Sequence, residues 1–309
     1  MKRILIAYDG SPCADAAIAD LANAGLPTEL EAAVISVADV WLPASADNPL
    51  PDFPAANSSA VRRAREQAAL ALTDARALAE RAAAHLKSLH HGWKVEAIAC
   101  ADSPAWGVLN KSVEWRANLI VVGSHGRSAL ERLFLGSVSQ KVAAEAPCSV
   151  RVSRPRRSSG HARTRVLIAV DGSGNSAAAV RAVAGRTWPE FSEFRIVTVM
   201  DARLETAIMW PESVAAQWVR ETDSAAREAL LRMLEESAKV LSNAGLRVET
   251  ELLTGDPKHE LLTHAAAWEA DAIFVGARGL HHGERLALGT MASAIAGRAH
   301  CSVEIIRPG

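Results

Sequence analysis

Short apolar runs alternate with long amphipathic stretches along the chain, and that alternation sets the first expectation. Runs bounded by Gly, Asp or Pro fall at residues 4–8, 33–37, 95–100, 119–122 and 149–152. Continuous apolar character, rather than a period of two, marks strands covered on both faces, as in a parallel sheet. Between them, residues 58–90 carry Val61, Ala68, Leu72, Ala75, Ala79, Ala82, Leu86 and Leu89 at spacings of three, four and seven, one face of a helix. Residues 224–243 repeat the pattern with Leu230, Leu234, Ala238 and Leu241, and Gly245 stands where such a helix stops. Ser11-Pro12, Ser103-Pro104 and Asp256-Pro257 each set an N-cap residue before a proline at the first helical position, so three more helix starts are predicted.

The chain also repeats itself. Ile4-Leu5-Ile6-Ala7-Tyr8-Asp9-Gly10-Ser11 returns 162 positions later as Val166-Leu167-Ile168-Ala169-Val170-Asp171-Gly172-Ser173, and Ser36-Val37-Ala38-Asp39 returns at the same offset as Thr198-Val199-Met200-Asp201. Gly92, Trp115 and Gly123 return as Gly245, Trp268 and Gly276, now 153 positions later. The first copy is therefore nine residues longer, and the stretch 41–57, with Pro43, Pro49, Pro51 and Pro54, is the natural site of the extra length. Such a period is too long for a stacked solenoid and marks a duplicated domain. The predicted organisation is a domain at 1–154, a basic linker at 155–164 and a second domain at 165–309. The linker is polar and lacks hydrophobic period, so it reads as a solvated connector, although arginines are also suited to clamping a phosphate or a partner.

Within each half, alternating strands and helices with right-handed crossovers give a doubly wound parallel α/β sheet with helices on both faces. If strand one lies beside strand four, the chain reverses direction there and leaves a crevice at the strand C-termini, where open α/β sheets bind ligands. The residues at those ends are Asp9 and Gly10 with Gly123, and Asp171 and Gly172 with Gly276.

The chemistry concentrates behind strand four. The first half reads Gly123-Ser124-His125-Gly126-Arg127 and, further on, Gly136-Ser137-Val138-Ser139. The second reads Gly276-Ala277-Arg278-Gly279-Leu280 and later Gly289-Thr290-Met291. Both follow Gly, two residues, Gly, nine residues, Gly, then Ser or Thr. Lacking Cβ, the first two glycines can adopt positive φ and bring backbone N–H groups close to a polyanion. The third glycine and its hydroxyl neighbour open a helix whose unpaired N–H groups and positive dipole end favour phosphate. A tight turn alone accounts for one glycine per loop, not three followed by a hydroxyl. Ser137-Val138-Ser139-Gln140 fits a capping box that Thr290-Met291-Ala292-Ser293 lacks, so the first site is expected to be the better organised. Arg127 and Arg278 add charged donors at non-equivalent positions. Asp9 and Asp171, on the other wall, are suited to ribose hydroxyls or a magnesium ion. By this reading a valine at position 136 would fill phosphate space. No Gly-Lys-Ser/Thr sequence occurs, which excludes P-loop chemistry, and Gly172-Ser173-Gly174 is set aside as a dinucleotide fingerprint because its second glycine is Pro12 in the sister copy.

Composition narrows the partners. With 34 Lys+Arg against 35 Asp+Glu the net charge is -1, so no global field favours nucleic acid or an anionic membrane, and a small molecule or a protein is expected instead. No apolar run approaches the ~18 residues of a membrane span, and residues 1–10 pass straight from a charged start into the first strand without a signal peptide, which gives the expectation of a cytoplasmic protein. Cys13, Cys100, Cys148 and Cys301 are far apart and indicate neither a disulfide framework nor a structural metal. Cys13 beside the first loop is either a redox-sensitive thiol or, like the others, a small buried apolar group. Adjacent histidines point different ways, so His90-His91 and His281-His282 read as surface residues rather than metal ligands. His125 in the first loop is either a pH-sensing group or a solvated residue. Trp115 and Trp268 are expected in the core.

Ile6-Ala7-Tyr8-Asp9-Gly10-Ser11-Pro12, the two glycine patterns, Ala146-Pro147-Cys148-Ser149-Val150 and His300-Cys301-Ser302-Val303 together resemble the universal stress protein family in its tandem, two-domain form, over nearly the whole chain. The glycine pattern is similar to that of the family's ATP-binding branch. The resemblance implies two Rossmann-like, adenine nucleotide alpha hydrolase-like domains related by a pseudo-two-fold axis, across which the last strands, Ser149–Ser153 and Ser302–Ile306, would pair. It also implies ATP, with or without magnesium, held by Gly123, Gly126, Gly136 and Ser137, with Asp9 toward the ribose and the backbone around Val37 facing adenine. Gly10, Ser124, Arg127, Val138 and Ser139 complete that candidate set. By the same matching Asp171, Val199, Gly276, Gly279, Gly289 and Thr290 form a second site, with Gly172, Arg278 and Met291 beside them. His125 stands where arginine is frequent in the family, and Asp102 where Gly255 fits a Gly-x-Pro pattern. Three readings stay open: an ATP-binding stress-response regulator without efficient turnover, a slow ATPase or phosphotransferase, and a nucleotide-free interaction module. The first two take an adenine nucleotide as partner. The protein partner and any association into a homodimer are left open.

Overall fold

A computed structural model describes residues 2–40, 59–126, 135–156, 163–201, 214–279 and 288–308, with the backbone alone described for 214–223. The first half contributes strands β1 (Arg3–Ala7), β2 (Glu31–Ala38), β3 (Lys94–Ala101), β4 (Leu119–Gly123) and β5 (Ser149–Ser153). Its helices are α1 (Pro12–Asp20), α2 (Ser59–Leu89), α3 (Pro104–Glu114) and α4 (Ser137–Glu145). The second half contributes strands β6 (Arg165–Ala169), β7 (Glu193–Asp201), β8 (Val248–Gly255), β9 (Ala272–Gly276) and β10 (Ser302–Ile306). Its helices are α5 (Gly174–Ala184), α6 (Val214–Asn243), α7 (Pro257–Ala267) and α8 (Thr290–Arg298). The helix predicted from residue 224 begins at Val214. No Gly or Pro interrupts 214–223, and extending a helix costs far less than nucleating one, so Ser224 is an interior residue rather than a cap.

Two units emerge, Met1–Ala22 with Pro27–Ser153, and Asn23–Leu26 with Arg154–Gly309. In the first, the strands are parallel in the order β3-β2-β1-β4-β5, with Ile6 opposite Val34 on one side and Val121 on the other. In the second the order is β8-β7-β6-β9-β10, and Ile168 lies between Ile196 and Phe274. Each is a doubly wound α/β sheet whose first strand is central and flanked by its fourth, so the switch point falls where the alternation predicted it. The register carries the repeat down to single residues: Ile35 faces Ile98, and Val197 faces Glu251, the same change of offset that the sequence shows.

Strand centres such as Ile4, Leu5 and Ile120 are fully buried. The second core adds an aromatic cluster, with Trp188 edge-on to Phe194 at 5.3 Å and to Phe274 at 5.9 Å. Each unit also buries an ion pair on its last strand. Arg151 of β5, 1% exposed, holds Asp20 at 2.7 Å through Nε. The matching residue of β10 is Glu304, 0% exposed, and it is held by Arg186. Neither charge would be tolerable in such a place without its partner.

At the described ends of the expected connector Pro155 and Arg163 are exposed, but the ends are tied down: Arg156 forks onto Asp271 at 2.7 and 2.9 Å, and Arg163 reaches Glu193 at 2.8 Å. Just before it Arg154 donates to the carbonyls of Cys301 and Ala296, and Thr164 is buried. Part of a basic run is anchored when fixed acceptors lie within reach. The Pro-rich stretch 41–57 and residues 157–162 lie outside the described residues.

Candidate functional site

Both crevices are built from one local device at the end of the first strand. Ser11 caps α1 and its hydroxyl accepts the Ala14 N–H at 3.2 Å; Ser173 caps α5 in the same way, with Ser176, at 3.2 Å. Two residues earlier, Asp9 Oδ1 accepts the Ser11 N–H at 3.0 Å and Asp171 Oδ1 accepts the Ser173 N–H at 2.9 Å. The intervening Gly10 and Gly172 sit at φ 76° and 83°, where a Cβ would be strained. One carboxylate oxygen is thereby fixed in the turn and the other faces the glycine loop. A Cβ on Gly126 would stand 3.0 Å from Asp9 Oδ2, and one on Gly279 2.7 Å from Asp171 Oδ2.

The glycines of the loop act differently from expectation. Positive φ belongs to Gly10 and Gly172; Gly123, Gly126, Gly276 and Gly279 do not adopt it. Gly123 and Gly276 are close-packing positions, where a Cβ would stand 2.9 Å from the Cys13 carbonyl and 2.8 Å from the Ser176 nitrogen respectively. The third glycine is engaged within the loop, since the Gly136 N–H donates to the Ser124 carbonyl and the Gly289 N–H to the Ala277 carbonyl, each at 2.8 Å. A side chain at 136 would meet the His125 Cα at 3.3 Å and the Ser124 carbonyl at 3.4 Å, so valine there also presses on the loop backbone.

The predicted capping box is absent. Gly136 is itself the N-cap of α4, with extended φ and ψ of −62° and 150°, which makes Ser137 the first helical residue. Ser139, at the third helical position, donates its hydroxyl to the Gly123 carbonyl at 2.6 Å instead of pairing with a capping side chain. Gly289 caps α8 with the same geometry and likewise has no side-chain cap bond, so capping does not set the first site above the second. What both loops do present is a helix first turn whose N–H groups, those of Ser137, Val138 and Ser139 or of Thr290, Met291 and Ala292, have no helix carbonyl to meet.

In the second unit these parts enclose a cavity of about 680 Å³. Asp171, Val199, Gly276, Arg278, Gly279, Gly289, Thr290 and Met291 line it, whereas the candidate Gly172 does not. Sequence reasoning missed Leu230 and Leu261, which form apolar wall, and Thr198, Asp201, Asp256 and Lys258. The signal for the last two was the predicted helix start itself: Asp256 caps α7, and its Oδ1 accepts N–H bonds from Lys258 at 3.1 Å and His259 at 2.9 Å.

In the first unit Asp9, Ser124, Gly126 and Gly136 converge in the same way. His125 Nδ1 is 3.1 Å from Ser124 Oγ, which in turn lies 4.0 Å from Cys13 Sγ. Val37 packs its side chain on α3, 2.8 Å from where a Cβ of Gly107 would stand. Arg127 and the pair His281-His282 lie outside the described residues. Beside the site Tyr8 donates to Asp15 Oδ1 at 2.6 Å; burial and that bond push its ionisation up to about 12. Burial, and then the charge of Asp102, raise the Cys100 thiol.

Other candidate residues resolve as structure. Trp115 and Trp268 are half-buried rather than core, with the Arg3 guanidinium 5.8 Å and the Arg195 guanidinium 4.5 Å from their rings. His90 stacks on Trp93 at 3.9 Å, and burial lowers its pKa. None of the four cysteines is in a disulfide; Cys301 is buried and the others are half-buried. Among the described residues no group of three His, Cys, Asp or Glu gathers as a metal site, and no helix is long and apolar enough to cross a membrane.

Comparison with known proteins agrees with this architecture. The model of the universal stress protein family matches residues 1–154 and again 162–307. A universal stress protein of Thermus aquaticus is 34% identical over 155 residues, 50% of this chain and 98% of that protein. One from Bacillus subtilis is 27% identical over 148 residues, 46% of this chain and 98% of its own. Among solved structures, a universal stress protein of Archaeoglobus fulgidus aligns over 99% of this chain and 98% of its own at 22% identity and a TM-score of 0.63. A putative universal stress protein of Pseudomonas aeruginosa aligns over 100% and 94% at 14% identity and 0.58. With two doubly wound sheets, each ending in the same aspartate turn and glycine loop and each matched by the same family model, the chain belongs to the universal stress protein family in tandem form.

Proposed function

We propose that the two domains, 1–154 and 165–309 with 155–164 between them, bind ATP at the ends of their central strands, with magnesium on its phosphates. In this reading the chain is a cytoplasmic stress-response regulator that signals to a protein partner rather than an efficient enzyme. The observation that carries the reading is the cavity of about 680 Å³ in the second unit, which falls within the ~300–1,000 Å³ of small-molecule sites and sets an aspartate opposite a bare-backbone loop. Asp171 Oδ2 would take ribose hydroxyls, the backbone at Val199 and the apolar wall of Leu230 and Leu261 would hold the base, and the first-turn N–H groups of α8 would meet phosphate. The first unit offers the same arrangement from Asp9, Val37, Gly126, Ser137, Val138 and Ser139. Regulation is favoured over turnover because Asp171 and Asp256 are acceptors for backbone N–H groups at helix starts, which suits them to hold geometry rather than to shuttle protons.

Heat-denaturing the purified protein and separating the supernatant by nucleotide chromatography, alongside calorimetric titration with Mg-ATP, tests the reading. Released adenine nucleotide or saturable heat is expected. Neither signal would leave the interaction-module reading in possession. Gly279→Ala, which displaces the facing oxygen of Asp171, is expected to weaken binding in the second domain at least about tenfold.

A further inference from the structure

The described parts of the two crevices share a backbone but place their charged side chains differently. Lys258 lines the second cavity together with Arg278, Thr290 and Met291. Its counterpart in the first half, 153 positions earlier, is Ala105, and the counterpart of Arg278 is His125. Helices α7 and α8 pack against one another, and the first turns of both border the same cavity, so Lys258 and the first-turn residues of α8 line a common space.

The position of Lys258 has no evident structural benefit. It is the second residue of α7, where a cation opposes the positive end of the helix dipole. Among the described residues no carboxylate forms an ion pair with its ammonium, and the nearby Asp256 is occupied in capping, with its Oδ1 bound to the Lys258 and His259 N–H groups. A lysine kept against its own dipole, half-buried on the wall of a cavity, is explained by an anion that enters the cavity.

Resting on the nucleotide reading above, we infer that Lys258 is a ligand-contacting, specificity-determining residue of the second site, which makes that site select the polyphosphate form of a nucleotide over the same nucleoside with less phosphate. The first site, with Ala105 at the matching position, lacks this contact.

Calorimetric titration of the full chain with ATP, AMP and adenosine tests this on wild type, Lys258→Met and Lys258→Arg. Lys258→Met is expected to lower ATP affinity about tenfold at one site per chain, to change adenosine affinity less than about twofold, and to leave the melting temperature unchanged or raised, since it removes a cation from the first turn of α7. Lys258→Arg is expected to retain ATP affinity. ATP affinity unchanged in the methionine variant, or ATP and adenosine affinities falling in parallel, overturns the inference while leaving nucleotide binding intact. A wild-type chain that binds none of the three ligands overturns the inference and the nucleotide reading together.

Discussion

On the last strand of the first unit a buried arginine, Arg151, is neutralised by Asp20; at the matching place in the second unit a buried glutamate, Glu304, is neutralised by Arg186. The crevices differ as well, with Ala105, His125 and Arg127 in one where Lys258, Arg278 and Leu280 stand in the other. Against this, the main chain hardly differs: Gly136 and Gly289 cap their helices at nearly identical φ and ψ, and their N–H groups close the same bond across the loop. The described main chain therefore gives both crevices the same loop closure and helix start, while the side chains around them differ in charge.

The comparison is open to attack at several points. The largest effect is expected from Arg186→Ala, which removes the arginine that neutralises the fully buried Glu304; a loss of about 3–5 kcal/mol, or about 10 °C in melting temperature, should appear by calorimetry. Arg151→Ala should cost less, because the abandoned Asp20 is 11% exposed and can recruit water. Equal losses would show that the two pairs are equivalent despite their reversed sign.

Next come the close-packed glycines. Gly123→Ala and Gly276→Ala should each cost about 1–3 kcal/mol in urea unfolding, as each Cβ meets the first turn of a helix below 3.0 Å. Gly174→Ala is the control: nothing lies within 4 Å of its Cβ, and a gain of about 0.4–1 kcal/mol is expected from the stiffer unfolded chain. A neutral result at Gly123 and Gly276 would mean that the helices can back away from the strand ends.

A smaller, pH-dependent difference belongs to the first unit. His90 is held neutral by burial against Trp93, so its folded pKa lies below its unfolded value. Below pH ~6.5 the unfolded chain takes up the proton first, and stability must fall with falling pH until the folded protein is protonated too. His90→Gln should flatten that part of the melting-temperature profile; an unchanged slope would assign the acid sensitivity elsewhere. The smallest effect is spectroscopic. Tyr8 is the single tyrosine of the chain, and its tyrosinate absorbance should rise near pH 12 rather than near ~10. Asp15→Asn, which removes a charge and changes the bond, should bring the step down.

Much of the fold was legible because it is encoded locally. Apolar runs marked the strands, proline after a capping residue marked three helix starts, and the two repeat offsets recur in the registers of β2 with β3 and of β7 with β8. The errors share one cause, which is that a backbone partner distant in sequence outcompeted a local motif. The capping box at Ser137 failed because Gly136 had already taken the extended cap position, and Ser139 found the Gly123 carbonyl instead. Positive φ was assigned to the glycines of the loop, but the turn that needs it is the one that Asp9 and Asp171 tie down at the end of strand one. The buried pairs Arg151–Asp20 and Arg186–Glu304 join residues separated by more than a hundred positions, and no local pattern reports them. Lys258 was hidden for a related reason, since it reaches the cavity from α7, an element apart from the glycine loop that drew attention to the site.

The central claim is tested most directly by a crystal structure of the full chain soaked with Mg-ATP. The account predicts density for the nucleotide in the second crevice, with the ribose at Asp171 and the phosphate chain along Gly279 and the first turn of α8. Protein side chains packed into both hollows, or nucleotide bound at some other surface, would contradict it.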